Sequence, residues 1–150
     1  HAAPGFRSGW AVGPHEFCER LLPLSETMLF GNQPFIADMT AFALNSDLPT
    51  SARMRQSYKR RASLFADRLE KLDGITAYRP QAGMFIILDV SGTGLGGEDF
   101  AWRLLKAGVA VMPGSSFGEN AGKLVRLSLT VPDESVAEAC DRIAHFVEGL

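Results

Sequence analysis

Two arginines in this sequence stand where a guanidinium could bind an anion. Arg7 lies in a glycine-flanked loop, and Arg126 lies inside the apolar run LVRLSL at 124–129. The alternation of a strand puts Arg126 with Ser128 on the face opposite the aliphatic residues. A guanidinium is a planar fork of N–H donors that suits a phosphate or a carboxylate. Either arginine could instead face solvent, and for Arg7 taken alone a surface residue is the simpler interpretation.

The segment PGSSFG at 113–118 follows a predicted strand and comes shortly before Arg126. Loops that leave a rigid scaffold often carry binding residues. Gly114 and Phe117 of this loop are therefore candidates to line the same cleft as Arg126, and a plain turn is the alternative.

A glycine motif of the type GxGxxG is formed by Gly92, Gly94 and Gly97, between a predicted strand and a predicted helix. A dinucleotide-binding fingerprint occurs in this context. The helix opens with Glu98 and Asp99, however, and two carboxylates there would repel a pyrophosphate. The next predicted strand also ends without an acidic residue to bind a ribose. The motif is better interpreted as a surface turn.

The other polar and thiol residues favour structural roles. His15 and His145 are isolated, so no metal site is predicted. Cys18 and Cys140 lie among apolar neighbours, and we expect both to be buried, reduced thiols. A basic cluster on a long predicted helix is typical of a solvated or interdomain face. Its members are Arg53, Arg55, Lys59, Arg60 and Arg61.

The composition is that of an ordinary globular protein, with 46% of the 150 residues hydrophobic and 21% charged. A formal net charge of −2 gives no electrostatic reason to expect nucleic acid or an anionic membrane as partner. No apolar run approaches the ~20 residues of a membrane span, and no targeting signal is visible. We therefore expect a cytoplasmic protein without a nucleic-acid or membrane partner.

Hydrophobic periodicity predicts the elements that must position these residues. Helices are expected from Pro14, over 34–45, over 50–73, over 98–107 and over 132–150, and strands over 9–13, 75–78, 84–90, 109–112 and 124–129. The helix over 50–73 would be roughly 33 Å long, which is typical of a connector between two lobes. Strands mixed with covering helices predict an α/β or α+β layered lobe for residues 75–150.

Taken together and in order, these features resemble the C-terminal portion of the fold-type I aminotransferases, the pyridoxal-phosphate family of classes I and II. Their order and spacing extend the resemblance over essentially all 150 residues. The matching segments are PGFRSGWAVGP at 4–14, GMFIILDV at 83–90, PGSSFG at 113–118 and VRLSL at 125–129.

The resemblance implies an α/β fold with an α+β small lobe, the C-terminal part of the pyridoxal-phosphate-dependent transferase fold. Residues 1–48 would end the large cofactor-binding lobe, 49–74 would form the long interdomain helix, and 75–150 would form the small lobe. The enzyme would transfer an amino group between an amino acid and a 2-oxo acid, and it would be a homodimer.

Family membership also implies roles for single residues. Arg7 would contact the phosphate of pyridoxal 5'-phosphate, and Arg126 would pair with the substrate α-carboxylate. The stretch MLFGNQ at 28–33, with Phe30 and Gly31, would approach the active site of the neighbouring subunit. Phe30, Gly31, Gly114 and Phe117 are thus candidates for contacts in the cleft or with the neighbouring subunit.

The sequence departs from the family pattern at its start. The Schiff-base lysine of such enzymes lies a few residues before the GxRxGW arginine, but this chain begins at His1 and its first lysine is Lys59. The aspartate that pairs with the pyridinium nitrogen is also absent. We expect the chain to be a C-terminal piece of an aminotransferase, with no catalytic residue of its own and no activity alone.

The substrate pair stays open. The stretch MLFGNQPF is reminiscent of arginine–pyruvate transaminases, and aspartate, aromatic and alanine specificities are alternatives. A different interpretation is a non-catalytic nucleotide-binding or regulatory module that uses the 92–97 glycines. A third is a dimerisation piece, because the first ~45 residues would lack their sheet neighbours and expose apolar faces.

Overall fold

The computed structural model describes residues 4–150. The described chain divides into two compact units between Met54 and Arg55. The first unit holds a short 3-10 turn and two helices, and a third helix begins in it and continues into the second unit. These elements are Pro4–Phe6, α1 (His15–Leu29), α2 (Pro34–Asn45) and α3 (Pro49–Leu69).

Helix α2 spans the predicted residues and begins with Pro34 at its first position, where the missing N–H costs nothing. Helix α1 continues through Pro23 and ends at Leu29, and the next residue, Phe30, has a left-handed backbone with φ 51°. The expectation that Cys18 is buried is wrong, because this residue lies on an exposed surface of α1.

No strand forms over 9–13, so that prediction is wrong. A strand is stabilised by hydrogen bonds to a neighbouring strand. In the described part of the chain, all four strands pair with one another in the second unit.

The second unit is built on a four-stranded sheet in which every neighbouring pair is antiparallel. The strands are β1 (Thr76–Tyr78), β2 (Phe85–Asp89), β3 (Met112–Pro113) and β4 (Leu124–Ser128), in the order β1-β2-β4-β3. Strand β4 is central, and Arg126 lies opposite Ile87 of β2 and Met112 of β3. The sheet therefore carries Arg126 on an interior strand.

Strand β3 is shorter than predicted, because only Met112 of the expected 109–112 run is in the ladder. The Val109 N–H donates to the Leu104 carbonyl at 3.1 Å. The backbone donor at the start of the predicted strand is thus used by the preceding helix end.

The core lies on one face of this sheet. Ile86, Leu88, Val125 and Leu127 alternate with more exposed residues, which confirms the predicted alternation along β4. They pack in one cluster with side chains from α3, α4 (Gly97–Lys106) and α5 (Asp133–Glu148). The helical members are Ala62, Phe65, Ala66, Leu69, Phe100, Leu104, Val136, Cys140 and Ile143.

Burial raises the pKa of the Cys140 thiol to about 11, which keeps it protonated and unreactive near neutral pH. The prediction of a buried, reduced thiol is confirmed for Cys140. None of the helices in residues 4–150 is both long enough and apolar enough to cross a membrane.

Asp133 at the start of α5 ties that helix to α3. Its carboxylate accepts hydrogen bonds from Arg60 Nε at 2.8 Å and Arg61 Nε at 2.7 Å, and Arg61 Nη1 also donates to the Leu129 carbonyl. These guanidinium hydrogen bonds, from Arg60 first, lower the pKa of Asp133 to about 2. The Asp133 carboxylate thus joins α5 to α3, and Arg61 also joins α3 to the segment that follows β4.

Replacement of Asp133 by Asn should lower the stability at pH 7 but change little at pH 2. The pKa is lower in the folded than in the unfolded chain, so this stabilisation is present above about pH 4 and is lost as the pH falls toward 2. Urea midpoints at the two pH values measure the difference. The control Glu134→Gln removes a charge from the same first turn of α5. Its effect measures the contribution of the helix dipole to stability, apart from that of the ion pairs of Asp133. Equal losses for Asp133→Asn at both pH values would contradict the assignment.

Candidate functional site

Arg126 is the centre of the candidate site in the second unit. It is half-buried on the more exposed face of β4, and its Cζ lies 4.1 Å from the ring centroid of Phe85 and 4.2 Å from that of Phe117. Both distances are within the range of cation–π contact. Among residues 4–150, the guanidinium has no hydrogen bond or ion pair. Its N–H donors are therefore available to an anionic ligand.

Five other arginines of the second unit behave differently, because each of them binds a carboxylate of the chain itself. Arg79, for example, donates to both Asp67 and Glu70, and these hydrogen bonds raise its pKa. Arginines with a carboxylate partner are Arg60, Arg61, Arg68, Arg79 and Arg142. Arg126 is thus a half-buried guanidinium that contacts rings in place of carboxylates.

The loop after β3 positions one of those rings. Gly114–Phe117 forms a 3-10 turn, and Gly114 is buried where an added Cβ would collide with the Ala121 carbonyl oxygen. The turn can therefore approach its neighbours only with glycine at this position. The structure brings Phe117 to Arg126, as the position of the loop suggested, and Gly114 anchors the turn.

Phe85 is the contact that sequence reasoning missed. It lies on β2 two residues before Ile87, which is the strand partner of Arg126. Alternation along both strands puts Phe85 and Arg126 on one face of the sheet. The alternation of residues along β2 is visible in the sequence. The neighbourhood of Phe85 and Arg126 can be recognised only when the register between β2 and β4 is known.

The other predicted site residues lie in the first unit. Arg7 is exposed and has a positive φ of 54°, which non-glycine residues rarely adopt. Its neighbour Ser8 is hydrogen-bonded by Thr40 Oγ1 at 2.8 Å and by Asn32 Nδ2 at 3.5 Å. The Arg7 loop and the turn after α1 are thus joined by side chains.

That turn contains Phe30 and Gly31, which both have positive φ angles. The side chain of Phe30 is 95% exposed. An aromatic ring that is so exposed contributes little to the packing of its own unit, so it is available to contact another surface.

The 92–97 glycines are explained by backbone packing. A Cβ on Gly92 would meet Gly74, and one on Gly97 would collide with the Leu124 carbonyl oxygen. The Gly97 N–H, at the start of α4, already donates to the Gly122 carbonyl at 2.8 Å. This donor is therefore not available to a pyrophosphate, which agrees with the interpretation as a turn. Among residues 4–150, no group of His, Cys, Asp and Glu could hold a metal ion.

Replacement of Gly97 by Ala should destabilise the protein by roughly 1–3 kcal/mol, because the added methyl group must push backbone apart. Gly96→Ala is the matched control, since the nearest atom to its Cβ would be 4.0 Å away. Urea midpoints of the two variants make the comparison. Similar urea midpoints for the two variants would show that the close backbone packing around Gly97 does not determine the stability of the protein.

Comparisons with known proteins show which family this chain is similar to. The sequence model of a family described as aminotransferase class I and II matches residues 1–143. The arginine–pyruvate transaminase AruH of Pseudomonas aeruginosa is 42% identical over 145 residues, which are 96% of this chain and 37% of that protein.

Solved structures give the same picture. An aromatic aminotransferase from Pyrococcus horikoshii superposes with a TM-score of 0.81 at 30% identity, covering 99% of this chain and 40% of the other. An aspartate aminotransferase from Thermus thermophilus, solved with maleate, superposes with a TM-score of 0.76 at 32% identity, covering 97% and 38%. The chain thus spans about two fifths of the length of the relatives it matches.

Proposed function

Because this chain belongs to the class I and II aminotransferases, we propose that the whole protein is a pyridoxal-phosphate-dependent aminotransferase. It would move an amino group between an amino acid and a 2-oxo acid. Arginine with pyruvate is the first pair to test, because the relative named for that pair is 42% identical. Aspartate and aromatic amino acids follow, since other relatives carry those names.

The observation that carries the proposal is the environment of Arg126. Its guanidinium is half-buried, contacts two rings and has no carboxylate partner within residues 4–150. We infer that it binds the α-carboxylate, which amino acids and 2-oxo acids share. A planar fork and a carboxylate can form two parallel hydrogen bonds, which fix the orientation of the substrate.

Arg7 is proposed to hold the phosphate of the cofactor. Pyridoxal phosphate, when bound, supplies the electron sink for chemistry at the amino-bearing carbon. The residue types fit such a group, because the Arg7 guanidinium is followed in the chain by Ser8, whose hydroxyl group is hydrogen-bonded to that of Thr40. Guanidinium and hydroxyl groups are donors suited to a phosphate. The unusual backbone at Arg7 supports a functional role, because such conformations cluster at binding sites.

The nucleophile is a separate part of the proposal. The lysines in this sequence are Lys59, Lys71, Lys106 and Lys123, and none lies near the Arg7 loop in sequence. We infer that the Schiff-base lysine belongs to the part of the relatives' length that this chain does not span. Pyridoxal phosphate added to the 150 residues alone should give no absorbance band of a lysine-linked cofactor, and such a band would overturn this inference.

A homodimer is also part of the proposal. No residue from 5 to 54 is buried, although α1 and α2 carry many large apolar side chains. Such faces are stable in water only when another surface covers them. We propose that these faces are covered by the rest of the lobe and by a second subunit, which is contacted through Phe30 and Gly31.

The free thiols Cys18 and Cys140 suit a reducing compartment, and the cytoplasm is the location we propose.

The test is an amino-transfer assay of the full-length protein. Arginine, aspartate, alanine and an aromatic amino acid would each be offered with pyruvate and with 2-oxoglutarate, with pyridoxal phosphate present. Formation of the matching amino acid from the 2-oxo acid is the expected result. Activity with another donor but not with arginine would remove the arginine–pyruvate assignment alone. Absence of transfer with every pair would overturn the proposed function.

A further inference from the structure

The two rings beside Arg126 have different structural origins. Phe85 is half-buried on β2 and is fixed by the sheet, while Phe117 comes from the 3-10 turn after β3 and is 55% exposed. The exposure of Phe117 means that it contributes little to the hydrophobic core. The turn instead places the Phe117 ring against Arg126, whose Cζ lies 4.2 Å from the ring centroid.

A half-buried guanidinium without a counter-ion loses hydration and gains no ion pair in return. Ring faces attract a cation without using its N–H donors in ordinary hydrogen bonds. Two rings can therefore hold the charge in place and leave the donors for a ligand. A carboxylate neighbour would hold the charge equally well, but it would occupy the donors, as Asp133 does for Arg61.

We propose that Phe117 and Phe85 are positioning residues that hold the Arg126 guanidinium oriented for a substrate carboxylate. This rests on the proposed function of Arg126. The rings act through Arg126 in the ground state and in the transition state alike. Loss of a ring should therefore weaken substrate binding, while the rate of the bound complex stays nearly unchanged.

The experiment uses the full-length protein with Phe117 replaced by Leu and by Tyr. Phe117→Leu should raise the KM values of both the amino acid and the 2-oxo acid by about 2- to 30-fold, with kcat within about twofold. Phe117→Tyr keeps the ring face and should restore both KM values. Trp102→Leu is the control, because Trp102 is an aromatic residue of α4 that is 63% exposed and is not among the rings in cation–π contact with Arg126.

A second readout does not depend on turnover. Calorimetric titration of the cofactor-free protein with maleate, a dicarboxylate probe, should show a weaker dissociation constant for Phe117→Leu by a similar factor. If Phe117→Leu fails to fold, as judged by circular dichroism, Phe85→Leu takes its place with the same expected result.

The outcomes separate the two proposals. An active wild-type enzyme whose KM values and maleate affinity are unchanged in the Leu variant would overturn the positioning role and leave the function intact. A fall in kcat at constant KM would overturn it as well. A wild-type protein without amino-transfer activity would overturn the proposed function, and maleate binding that depends on the ring would then still support the contact itself.

Discussion

Under the proposed function, replacement of Arg126 by Gln in the full-length protein is expected to lower kcat/KM by about 30-fold to several thousand-fold for the amino acid and the 2-oxo acid alike. The range corresponds to about 2–5 kcal/mol for removal of one partner of a hydrogen-bonded charge pair. The kcat/KM of both substrates should fall because both carry the α-carboxylate. Steady-state kinetics of the complete reaction, with the amino acid and the 2-oxo acid varied in turn, measure the effect.

Two further variants test the reason for this loss. Arg126→Lys keeps the positive charge but loses the planar fork, so it should recover only a small part of the activity. Arg103→Gln removes an exposed arginine from α4 and should leave kcat/KM within about twofold. Unchanged kinetics in Arg126→Gln would show that the substrate carboxylate binds elsewhere.

Replacement of Phe100 by Ala is expected to destabilise the protein by about 3–5 kcal/mol. Phe100 on α4 is fully buried, and its ring meets Phe146 of α5 edge to face, with the centroids 5.2 Å apart and the planes at 78°. The truncation would lose both the buried area and this aromatic pair, and it would leave a cavity between two helices.

Urea unfolding of the variant measures the loss, and an unchanged slope would show that the same surface is exposed on unfolding. Trp102→Ala on the same helix is the matched control. It removes a larger ring from an exposed position and should change the stability by no more than about 0.5 kcal/mol. A large loss for Trp102→Ala with a small one for Phe100→Ala would contradict the placement of the core.

The local elements of the fold were predictable because their signals lie within a few residues of each other. Pro34 at a helix start and the apolar alternation from 124 to 129 are signals of this kind. The strand order β1-β2-β4-β3 was not predictable, since β2 and β4 pair across more than thirty residues of intervening chain. The strand predicted over 9–13 failed for the same reason, because an extended segment becomes a strand only where it finds a partner.

The candidate site divides in the same way. Arg126 and the Phe117 loop stand out in sequence, because a charged residue interrupts an apolar strand and a glycine-rich loop precedes it. Phe85 does not stand out, since it is one apolar residue in an apolar run and gains its meaning from the register with β4. The roles of Arg7 and Arg126 are what the family resemblance implies, and the Arg126 variants test the second of these roles.

Within the described chain, every buried apolar residue lies between Ala62 and Ile143. Backbone amides of β2 and β4 should therefore exchange with deuterium only when the second unit opens as a whole, whereas those of α1 and α2 should exchange through local fraying. Slow exchange in α1 or α2 would require a surface packed against them. Deuterium uptake at these two helices in the full-length protein is thus a direct measure of their association with other surfaces.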